Sequence, residues 1–163
     1  MTLKEKIIQD YKDAFKAKEE KKVAVLRMAS AAIKNRELEK RAKLSKSGGS
    51  SDFEKESQLT DEEVLAVLNS EAKKRKDSIF QFKQGGRQEL AMQEEEELKI
   101  LAGYLPQQMS EDEIRGLVKE AIAQSGAAGS QDLGKVMKVL MPLVKGKVDG
   151  GLVNRIVKEE LEK

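Results

Sequence analysis

The sequence contains no cysteine and no histidine. Without cysteine there is no disulfide, no thiolate nucleophile and no zinc–thiolate site. Without histidine there is no imidazole base near neutral pH, no Ser–His pair and no imidazole metal ligand. Any catalysis would rest on Asp, Glu, Lys, Tyr or a hydroxyl activated by one of them, which shifts the balance toward a binding protein. Proline is limited to Pro106 and Pro142, and aromatics make up 4% of the chain against 37% charged residues. Too few β-branched or aromatic runs exist to build a sheet, so the composition predicts long, surface-rich helices and an all-α fold. No apolar run approaches the roughly 20 residues that span a bilayer, and no apolar leader follows Met1. The expectation is a soluble, cytoplasmic chain with no membrane partner.

What is present is charge, and it is unevenly placed. Residues 1–45 hold 13 Lys/Arg against 7 Asp/Glu, residues 46–109 hold 9 against 13, and residues 110–163 hold 9 against 9. Within that neutral tail, residues 129–158 carry six basic side chains against Asp132 and Asp149. An anionic partner responds to such local zones more than to the net charge of +2.

The apolar spacing predicts seven helices. Thr2 with Glu5 is a capping-box start for a first helix reaching about Ala17, lined by Leu3, Ile7, Tyr11 and Phe15. After a polar break at Glu19 to Lys22, Val23, Leu26, Ser30, Ile33 and Leu38 mark a second helix to about Lys43. Its charged end, Arg36 to Arg41, is expected to project into solvent. Residues 45–58 lack periodicity and read as a flexible loop. Thr60 with Glu63 opens a third helix, along Val64, Leu68, Ala72, Ile79 and Phe82, which Gly85-Gly86 ends. A fourth covers roughly Arg87 to Gly103. Leu105-Pro106 then breaks the pattern, and the domain boundary is placed at Leu105 to Met109. Ser110 with Glu113 caps the first of three short helices, whose apolar faces are Ile114 to Ile122, Leu133 to Met141 and Leu152 to Leu161. Met137 and Met141 read as core filler. Pro142 is expected to bend or end its helix near Lys138 to Met141, with helical chain on to about Lys145. The resulting architecture is an N-terminal helical bundle, residues 1–105, and a compact three-helix tail, 110–163.

Three features bear on chemistry. Gly146-Lys147-Val148-Asp149-Gly150-Gly151 joins the last two helices. A structural corner accounts for it, with Gly146 at a C′ position and Asp149 as N-cap. The rival reading is that Gly150 and Gly151 leave amides open to a phosphate at a helix start. Lys135, Lys138, Lys145, Lys147, Arg155 and Lys158 are left over once the apolar faces are assigned. They either keep the helices solvated or form a phosphate-contacting face, and six against two favours the second, because a solvated face mixes signs. Arg75 stands apart from the run Lys73 to Lys76, because it falls on the inner side between Ala72 and Ile79. An ion-pair network with Glu71 and the cluster Glu94 to Glu97 is expected there. Four consecutive carboxylates point in different directions, so no metal site is assigned. No nucleotide fingerprint follows a strand, so no cofactor and no catalytic residue are assigned either.

Taken together, certain segments resemble the YqeY-like family, which is related to the C-terminal tail domain of the B subunit of tRNA-dependent amidotransferase. They are Leu26-Arg27 with Ile33-Lys34-Asn35, Leu59-Thr60-Asp61-Glu62-Glu63-Val64, Glu71 to Ser78, Gly86-Arg87 and Tyr104-Leu105-Pro106. In the tail they are Asp132-Leu133-Gly134-Lys135-Val136-Met137, Leu140-Met141-Pro142 and Gly146 to Gly150. The resemblance covers nearly the whole chain. It implies an all-helical protein of two domains whose tail, like that of the amidotransferase, helps hold tRNA beside an aminoacylation or amidation enzyme. It also implies the alternative of a carbon–nitrogen ligase with glutamine as amido-N-donor, for which no catalytic residues are evident. A helical protein-interaction adaptor is the third option.

Overall fold

Three helix starts are fixed by side chains. Thr2, Thr60 and Ser110 each accept the amide three residues on, and Glu5, Glu63 and Glu113 each reach back to the cap amide. Each box satisfies two of the four amides that a helix start leaves without partners. The computed structural model describes residues 1–48 and 52–163, and every regular element among them is helical. The helices are α1 (Leu3–Lys16), α2 (Glu20–Lys46), α3 (Phe53–Glu56), α4 (Asp61–Gln84), α5 (Gln88–Ala102), α6 (Glu111–Ser125), α7 (Leu133–Val144) and α8 (Gly150–Leu161), with a 3-10 turn at Ser130–Asp132 before α7. None is long and apolar enough to cross a membrane.

The chain divides into two compact units, Met1–Leu105 and Pro106–Lys163. In the first, Ile7 of α1, Val25, Leu26, Ala29 and Ile33 of α2, Val64, Leu68 and Ala72 of α4 and Leu101 of α5 form one core. In the second, Ile114, Val118 and Ala121 of α6 meet Val136, Leu140 and Val144 of α7 and Val153, Ile156 and Val157 of α8. A fully buried leucine, isoleucine or valine contributes about 1.5–3 kcal/mol, so the periodic faces are what hold each unit.

Several expectations shift. The break before α2 is shorter than the polar run suggests, because Lys18 adopts a left-handed φ of 59° and turns the chain at once. Helix α2 then begins at Glu20 and runs on to Lys46. The inner position near its end is held by Glu37, 9% exposed, while Leu38 is 49% exposed. Glu37 accepts both Lys4 Nζ at 2.7 and 2.8 Å and the amide of Leu59 at 3.2 Å, and these partners offset the cost of burying it. The Arg36–Arg41 segment is thus not wholly solvated. Lys40 bonds Glu63 at 3.0 Å, and Arg41 Nε donates to Ser57 Oγ at 3.4 Å.

Of the loop expected over 45–58, residues 49–51 lie outside the described residues. Phe53–Glu56 is a helical turn capped by Asp52, and Ser57 is buried. Arg75 is buried and its Nη1 bonds Glu94 at 3.0 Å and also Glu97, as the inner placement implied. Glu71 pairs with Lys74 instead. Helix α7 continues through Pro142 to Val144, so it does not end near Lys138 to Met141. Met141 is 38% exposed and is not core filler.

Candidate nucleic-acid interface

The tail unit orients its cations by burying what lies between them. Helix α7 turns Val136, Leu140 and Val144 inward at a spacing of four, which leaves Lys135 and Lys138 exposed one turn apart. Lys145 is the C-cap, its amide bonded to the Met141 carbonyl. Gly146 follows with φ of 76°, a left-handed conformation suited to glycine at this position. Lys147 then donates its amide to Val144 and accepts the Met109 amide at 2.9 Å through its carbonyl. The corner is therefore pinned from both sides, and Lys145 and Lys147 project from it exposed.

The two acidic residues in this region are both occupied by backbone amides. Asp132 accepts the Ala128 amide at 2.9 Å, which with the nearby Lys135 holds its carboxyl below the usual range. Asp149 accepts the Gly151 amide at 2.9 Å as the N-cap of α8. One of the two amides read as open at Gly150-Gly151 is thus engaged within the chain. Lys135 lies 3.6 Å from Asp132. Lys138 and Lys147 have no carboxylate within ion-pair distance among the described residues.

Arg155 belongs elsewhere. It pairs with Glu111 at 3.1 Å and Glu159 at 3.8 Å. Arg115 joins the same group, bonding Glu160 at 2.7 Å, Glu159 at 2.9 Å and Glu111 at 3.3 Å. Glu160 and Glu159 hold Arg115 still more firmly in its charged form, and Lys163 and Arg115 hold Glu160 below its ordinary value. This network ties α6 to α8. Sequence reasoning did not single out Arg115, although its four-residue offset from Glu111 was a signal. Lys158 is exposed on α8. The six cations thus divide into an exposed set on α7 and its corner, and an α8 pair of which Arg155 is already committed.

An all-helical chain whose candidate site is an exposed cationic surface is the class these features define. The profile of the Yqey-like protein family matches residues 4–161, and the chain belongs to that family. Altered inheritance of mitochondria protein 41, a mitochondrial protein of Pyrenophora tritici-repentis (strain Pt-1C-BFP), is 30% identical over 103 residues. That match covers 61% of this chain and 56% of the relative, so the chain spans little more than half of that protein's length.

Proposed function

We propose that the chain is a non-catalytic accessory that binds tRNA through its tail, residues 110–163. Lys135, Lys138, Lys145 and Lys147 contact phosphates, and the chemistry belongs to an aminoacylation or amidation enzyme that it accompanies. The observation that carries this reading is that Asp132 and Asp149 are taken up by the amides of Ala128 and Gly151, while Lys138 and Lys147 keep no acidic partner among the described residues. Exposed, unopposed ammonium groups release condensed counterions when they meet a polyphosphate, and they position a nucleic acid without reading its sequence. Gly146 supports the reading from the backbone side, because its left-handed turn sets Lys145 and Lys147 on either side of one corner.

The test is a salt-titrated binding assay with total tRNA. Log affinity should fall against log salt by roughly 0.7–0.9 per contact. Lys138→Ala with Lys147→Ala should flatten that slope by about 1.4–1.8 and weaken binding similarly for different tRNAs. Lys73→Ala with Lys76→Ala, two exposed α4 cations, is the control of equal charge. Equal weakening by both pairs, or no binding at low salt, would defeat the proposal.

A further inference from the structure

The outer side of the α1–α2 pair carries a groove of about 450 Å³. Its floor is Ile7 and Ile33, 1% and 2% exposed, and its walls include Ile8 and Leu38, 38% and 49% exposed. Two helical rows border it and continue past its end, at Tyr11 and Phe15 on α1 and at Arg27 on α2. Lys4, Ile8, Tyr11 and Phe15 recur at intervals of four, three and four on α1. Arg27, Lys34, Leu38 and Arg41 recur at seven, four and three on α2. Each set lies on one face of its helix. The rows face each other, since Arg27 Nη2 lies 3.5 Å from the Tyr11 hydroxyl and Lys4 bonds Glu37. Phe15 extends the apolar row, 62% exposed with its ring 6.3 Å from that of Tyr11.

Cations outnumber carboxylates on this face: Lys4, Lys34 and Arg41 line the groove against Glu37 and Glu54, and Arg27 lies just beyond it. Glu37 is consumed by Lys4 and by the Leu59 amide. Arg27 donates to a phenol and Arg41 to Ser57 Oγ. Neither they nor Lys34 have a carboxylate within ion-pair distance among the described residues. Exposed aliphatic walls rimmed by unopposed cations mark an interaction surface.

We propose that this face receives an acidic amphipathic helix of a partner protein. Along α2, from Ser30 to Arg41, the groove runs about 17 Å at 1.5 Å per residue, three turns of an incoming helix. Apolar side chains at i, i+4 and i+7 fill the space between Ile8 and Leu38, and Asp or Glu on one flank meet Arg27, Lys34 and Arg41. An RNA strand would satisfy the cations but leave both aliphatic walls against water. A second copy docked face to face would set like charges together. The inference is independent of the tRNA reading, which concerns the tail lysines.

The test uses the full chain and a fluorescein-labelled 18-residue designed helix, with Leu at the anchor spacing and Glu on the flanks. Its twin carries Lys in place of Glu. Anisotropy should show saturable binding of the Glu helix at least about tenfold tighter than the twin. Ile8→Glu with Leu38→Glu should abolish binding. Arg27→Glu with Lys34→Glu should invert the preference toward the Lys helix, an inversion that loss of folding cannot produce. Equal affinity for the two helices overturns the proposal, as does binding that survives Ile8→Glu with Leu38→Glu. Sedimentation showing a dimer that Leu38→Glu dissociates would assign the face to a second copy. Loss of tRNA binding in Arg27→Glu with Lys34→Glu would assign it to RNA.

Discussion

Arg75 shows how a single charged side chain can join helices without being a strong stabiliser. Its Nη1 serves Glu94 and Glu97 from α5, its Nη2 lies 3.0 Å from Met28 Sδ on α2, and its buried Nε has no partner among the described residues. A buried ion pair gains little over an apolar replacement, yet removing one partner strands the other. Glu94 and Glu97 retain 27% and 31% exposure of their side chains, so water softens the loss. Arg75→Met is expected to lower the unfolding free energy by about 2 kcal/mol, less than the roughly 3–5 kcal/mol of a fully buried pair. Adding Glu94→Gln and Glu97→Gln should restore most of it. Urea unfolding checks both, and a single variant as stable as the parent would show that the pair contributes nothing. Arg75 was legible in the sequence because it sits three and four residues from apolar neighbours. Glu37 was not, because what permits its burial is Lys4, 33 residues away, and the Leu59 amide, 22 away.

A helix start can titrate as a unit. The Thr60 amide, and after it Lys40, hold the Glu63 carboxyl below its usual range. A carboxylate depressed in the folded state contributes stability above its unfolded value of about 4.3, and loses it as pH falls through the lowered folded value. Glu63→Gln should therefore cost on the order of 0.5–1 kcal/mol at neutral pH. The gap to the parent should close toward pH 3. Thermal melts across that range check it, and a gap constant with pH would separate the cap from the charge. All three capping boxes were legible, because the motif is local and its spacing is fixed. The turn at Phe53–Glu56 was not, because it carries no periodic apolar signal. The Ser57 that follows it is held by Arg41, which sits on α2. For Pro142 the early end is excluded, while the expected helical chain to about Lys145 matches a helix that closes at Val144. A proline two residues from a helix end removes one bond that the last turn can spare, and α7 keeps going to Val144.

At the scale of the molecule, two cores sit in two units, and each is closed by its own apolar faces. A fragment of residues 106–163 should therefore be helical by circular dichroism. A core this small is marginal, so it should melt broadly and at low temperature. A random-coil spectrum would show that α6, α7 and α8 need the rest of the chain. The candidate site was legible as a set of cations, because excess basic residues in a window can be counted. How they divide was not, since it depends on Arg155 meeting Glu111, 44 residues away in the chain.

The Met109 amide is held by the Lys147 carbonyl, outside every helix. In deuterated solvent that single proton can exchange only when the corner between α7 and α8 lifts away from the segment before α6, whether or not the helices stay wound. Its exchange rate is thus a private clock for the corner. A polyanion seated on Lys145 and Lys147 should slow it while leaving the amides in the middle of α6 unchanged.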